Sequence, residues 1–93
     1  MTVELVPNCN HCPEIGVANN TFFVMVNTSG MADIIGKQTA NDPLIVSNED
    51  SLLLLHKLKK WNPPEDWGGG FRPEKMKSLF VEFFRRCDGF TTH

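Results

Sequence analysis

Apolar and polar positions divide this chain near residue 46, with strand-like patterns before and helix-like patterns after. Val3-Glu4-Leu5-Val6 alternates weakly and stops at Pro7, which predicts a short strand at a sheet edge. Residues 7–20 hold two prolines, one glycine, four asparagines and two cysteines, and read as a long loop. A loop of that length without structure of its own usually carries function or motion. Thr21-Phe22-Phe23-Val24-Met25-Val26 is apolar without alternation and predicts a strand covered on both faces. Thr28-Ser29-Gly30 then reads as a turn, with Met31 to Ile35 pairing back as the second arm of a hairpin closed by Gly36. Gln38 to Asp42 is a further turn, and Pro43-Leu44-Ile45-Val46 a short strand.

From Ser47 the period changes. Ser47 is placed as a helix N-cap, its hydroxyl able to accept from the Asp50 amide, and Glu49 and Asp50 lie where the helix dipole favours negative charge. Leu54, Leu58 and Trp61 fall at i, i+4, i+7 with Leu55 alongside, so the helix should run to about Trp61. Leu52 and Leu53 widen that stripe beyond what one contact needs. Asn62-Pro63-Pro64 ends this helix and Gly68-Gly69-Gly70 extends the break. Arg72-Pro73-Glu74 starts a second, with proline at the first helical position. Met76, Leu79, Phe80, Phe83, Phe84 and Cys87 form its apolar stripe. Gly89 reads as a left-handed cap that lets Phe90 fold back onto Phe84.

The fold class that follows is α+β. A small antiparallel sheet of three or four strands from residues 2–46 is packed by two helices, about 47–61 and 73–88, in a single domain spanning 1–93. At 93 residues the chain buries a modest share of its surface, so a metal, a disulfide or self-association would add useful stability. Its 41% hydrophobic and 22% charged residues are ordinary for a globular domain. A net charge of −2 argues against general nucleic-acid binding, which rests on many Lys and Arg contacts. Lys57, Lys59 and Lys60 read as a solvated helix face. No apolar run is long enough for a membrane span and no signal peptide is visible. Three cysteines, an odd count, argue against a secreted disulfide scaffold and favour the reducing cytoplasm.

Two features carry candidate chemistry. Cys9-Asn10-His11-Cys12 has the two-residue gap of a zinc-ligand pair, and Cys87 and His93 would complete a tetrahedral set if the two ends of the chain meet. Against that, Cys87 also continues the apolar stripe of the last helix, where a free thiol packs as a small hydrophobe. The same spacing suits a thiol-redox pair, but the resemblance to the thioredoxin-like group stops at Cys9 and Cys12. Pro13, Gly16, Asn19 and Asn20 oppose the helix that would lower a thiol pKa there. The second feature is Trp61 to Arg72, which gathers both tryptophans, three glycines and two prolines. Trp61, Trp67, Phe71 and Arg72 are of the types enriched at binding hot spots, unless the rings cap the core instead.

No Ser-His-Asp, Cys-His or phosphate-loop arrangement is present in the sequence. The expectation is therefore a small non-enzymatic regulator, inhibitor or adaptor without a required cofactor. It would bind a protein partner, or a second copy of itself, through the tryptophan–glycine loop and its helix surfaces. The alternative is a Cys-dependent protein, either zinc-stabilised through Cys9 and Cys12 or thiol-redox active.

Overall fold

In the computed structural model, which describes residues 2–40, 42–68 and 72–93, helices pack against a four-stranded antiparallel sheet. The strands are β1 (Thr2–Pro7), β2 (Ile15–Ala18), β3 (Ile45–Val46) and β4 (Phe90–Thr92), in the spatial order β2-β1-β4-β3. The helices are α1 (Asn19–Ser29), α2 (Ala32–Ile35), α3 (Asn48–Lys59) and α4 (Pro73–Arg86). The α+β class read from the sequence is the one observed, and so are both later helices.

β1 alternates as its sequence does, with Val3 and Leu5 buried and Thr2 and Glu4 exposed. It is an inner strand rather than an edge, because β4 lies along its other side. Pro7 is tolerated there because β2 pairs only with Thr2 to Leu5, which leaves Pro7 a single neighbour, Phe90. β4 was hidden in the sequence, since Phe90-Thr91-Thr92 is only three residues and reads as the tail of a cap. It joins β3 to β1, with Phe90 opposite both Val46 and Pro7.

The segment Thr21–Val26 is helical, which corrects the strand expected from its β-branched and aromatic content. Thr21, Phe22, Met25 and Val26 are the buried positions, spaced as one helix face, while Phe23 and Val24 lie half-buried beside them. Gly30, read as part of a hairpin turn, ends this helix with φ 94°. Met31 to Ile35 accordingly forms no strand, and Ala32–Ile35 is the short helix α2. The 7–20 stretch is likewise not all loop: β2 occupies Ile15–Ala18, and Asn19 and Asn20 already belong to α1.

Ser47 caps α3 as its sequence indicates, accepting from the Asp50 amide at 3.1 Å. Pro73 opens α4. Beyond α4, Asp88 and Gly89 both take positive φ, 60° and 87°, turning the chain into β4. Phe90 then packs on Phe83 and Phe84 with ring centroids 5.5 Å away. The core runs from Val3, Leu5 and Phe90 of the sheet through Phe80 and Phe84 of α4 to Leu54 and Leu58 of α3 and Met25 of α1. The other face of the sheet carries Glu4, Gly16, Ile45 and Thr91. Ile45 stands 91% exposed on that face, at the β3 edge.

Candidate functional site

The Cys9–Cys12 stretch is the tip of the hairpin that joins β1 to β2. Its base is held by backbone hydrogen bonds to the turn after α4. The Cys9 N–H donates to the Cys87 carbonyl and the Asn8 N–H to the Gly89 carbonyl, both at 2.9 Å. The Asn8 side-chain amide adds a bond to the Asp88 carbonyl at 3.2 Å. At the tip, the His11 N–H donates to Cys9 Sγ at 3.4 Å. Cys9 and Cys12 are half-buried free thiols, and Cys87 is a fully buried one.

Burial pushes the Cys12 thiol pKa up, and the neighbouring Cys9 adds to this while Arg86 opposes it. Burial also raises Cys87, against smaller lowering by the Ser51 hydroxyl and the Gly89 backbone. The Cys87 sulfur points inward and donates to the Phe84 carbonyl at 3.8 Å. The two ends of the sequence therefore do meet at Cys9 and Cys87, but through backbone and not through sulfur. His93 lies elsewhere. It exchanges backbone bonds with Glu4 in the first half of β1, whereas Cys9 follows the far end of that strand, which separates the two by on the order of 15 Å. The four-ligand set Cys9, Cys12, Cys87 and His93 is thus not assembled. Among the described residues no group of three or more Cys, His, Asp or Glu is placed to hold a metal ion.

The tryptophan loop is also turned inward. Trp61 and Trp67 are 8% and 4% exposed and meet edge to face at 4.9 Å. Trp67 Nε1 donates to the Thr21 carbonyl at 2.8 Å, and its ring leans on Phe80. As folded, neither ring is available as the surface anchor expected of it, because filling the space between α1 and α4 buries both. Phe71 lies outside the described residues. Arg72 is exposed at the N-cap of α4, with no side-chain capping bond.

What the sequence did not reveal is a groove beside the hairpin. Its volume is about 340 Å³; one wall is the stretch from Cys12 through Ile15 to Gly16, and the other is α4, with Leu79, Phe83 and Arg86. Leu79 is 50% exposed. It was grouped with the core stripe, yet at 100° per residue it falls at the margin of the face formed by Met76, Phe80, Phe83 and Cys87, on the side of Glu82 and Arg86. That marginal position was the available signal. β2, which forms part of the other wall, is an edge strand, and a Cβ built on Gly16 would meet no atom within 4 Å. Among the described residues no helix is long and apolar enough to cross a membrane. Comparison with protein-family models, curated proteins and solved structures finds no match.

Proposed function

We propose that this protein is a small, non-enzymatic interaction module of the reducing cytoplasm that docks an extended peptide segment of a partner along β2. The observation that carries this reading is Leu79, half exposed on the wall of an apolar groove beside an edge strand. An edge strand offers unpaired N–H and C=O groups to a further strand, and pockets for alternate side chains give such pairing its selectivity. The peptide would place an apolar side chain between Ile15 and Leu79, with Glu14, Glu82 and Arg86 at the rim.

The test is selection from a displayed peptide library against the wild type and against Leu79→Glu. Enriched peptides should shift the amide resonances of Ile15, Gly16, Leu79 and Phe83. They should bind the folded Leu79→Glu variant at least ten-fold more weakly, about 1.4 kcal/mol. Selected peptides whose affinity is untouched by Leu79→Glu would refute the assignment.

A second reading, a Cys-dependent protein, is favoured by the hydrogen bond from the His11 amide to Cys9 Sγ. That bond turns the chain back over Cys9 just before Cys12. Its metal form has better support than its redox form. Cys12 is followed by Pro13 and then β2, so neither thiol stands at a helix N-terminus, and α1 starts only at Asn19. Metal analysis of reduced protein purified without chelator tests it, with uptake lost in Cys9→Ser as the supporting result.

A further inference from the structure

We propose that Cys9 and Cys12 are half of a tetrahedral thiolate site that a second copy of this chain completes, so that one zinc ion joins two hairpin tips. The inference rests on the metal form of the Cys-dependent reading above and does not require that the groove bind a peptide.

A structural zinc site takes four N or S ligands with Zn–S near ~2.3 Å, and a two-residue gap is the usual way for one turn to supply two of them. The tip has that gap, and both cysteines are only half-buried. The His11 N–H on Cys9 Sγ would offset charge on a bound thiolate while leaving sulfur lone pairs for a metal. The tip is also fixed at its base, through Cys9 to Cys87 and Asn8 to Gly89, so little ordering remains to oppose binding.

This chain does not supply the other two ligands. Cys87 Sγ is buried and committed to the Phe84 carbonyl, and His93 lies far along the sheet. Among the described residues no third Cys, His, Asp or Glu joins the pair. The residues outside that set, Met1, Asn41, Gly69, Gly70 and Phe71, bring no thiol, imidazole or carboxylate. An identical tip related by a two-fold axis through the metal supplies the missing pair, and the interface is then the same patch on both molecules. Four thiols give up four protons to one Zn²⁺, leaving a site of net charge −2. Arg86, which lines the groove with Cys12, brings a positive charge close to it from each copy. Thiolates select zinc over magnesium or calcium.

The experiment titrates reduced, metal-free protein under anaerobic conditions with Zn²⁺, and with Co²⁺ as a spectroscopic probe, alongside sedimentation equilibrium. Cobalt uptake should saturate at one ion per two chains with the spectrum of a tetrahedral tetrathiolate. The mass should double from 10.5 kDa, and chelator should reverse both changes. Cys9→Ser and Cys12→Ser should each abolish uptake and dimerisation with unchanged circular dichroism. Cys87→Ala should retain both. One metal ion per monomer would overturn the bridging site and leave the metal reading standing. No metal uptake by reduced protein would overturn both, and a dimer indifferent to metal and to the two serine variants would overturn the bridge.

Discussion

Gly89 shows how much one position holds. Its φ of 87° disfavours any side chain, and a Cβ there would lie 2.7 Å from Asn8 Nδ2 and 2.8 Å from the Val46 carbonyl. Those neighbours belong to the base of the Cys9–Cys12 tip and to β3, so a bulkier residue would push on both. Gly89→Ala should cost about 2 kcal/mol and lower the melting temperature by roughly 10 °C. Gly36→Ala has a comparable φ of 86° but open space around it, and should cost less. Thermal denaturation of the two variants side by side checks the difference. Trp67 makes a second residue-scale case. Trp67→Phe keeps most of the ring but loses the buried hydrogen bond to the Thr21 carbonyl, and should destabilise by about 1 kcal/mol in urea titration. If Trp67 were chiefly a recognition residue, that stability would not change.

Among the elements, α3 and α4 are tied at one end by a single cation. Lys77 Nζ donates to the Trp61 carbonyl at 2.6 Å and to the Lys59 carbonyl at 3.2 Å, satisfying acceptors where α3 ends. Lys77→Met should lower stability by about 1 kcal/mol, whereas Lys75→Met, on the exposed side of the same helix, should be near neutral in the same denaturant titration. The legibility of each element in the sequence follows from what holds it. α3 and α4 were readable because their signals are local: Ser47 and Pro73 mark the starts, and the apolar spacing marks the faces. α1 was not, because Thr21–Val26 is β-prone in isolation and becomes helical through contacts with the sheet and Trp67, which no local pattern encodes. β4 was not, because three residues specify a strand only when β1 and β3 flank them. The thiol pair was visible as Cys9 and Cys12, but the inward aim of Cys87 depends on the packing of α4. The groove depends on which margin of that helix meets the hairpin.

For the molecule as a whole, β4 is the keystone of the sheet. It lies between β1 and β3, Phe90 is fully buried, and Thr92 Oγ1 accepts from the Leu44 amide at 2.9 Å. Chain lacking residues 90–93 should therefore lose the cooperative unfolding transition and the dispersed amide spectrum of the folded protein. A truncated chain that still melts cooperatively would show β4 to be dispensable. The pairing also joins distant parts of the sequence, since β1 meets β4 across nearly the whole chain. During synthesis, β1 and β2 can pair as soon as they emerge, but β3 has no strand beside it and Leu5 lacks its neighbour Thr92 until Thr92 has left the ribosome. The nascent domain consequently carries an open sheet edge and an unfilled core until β4 is available, and the sheet closes only when that last of its strands docks.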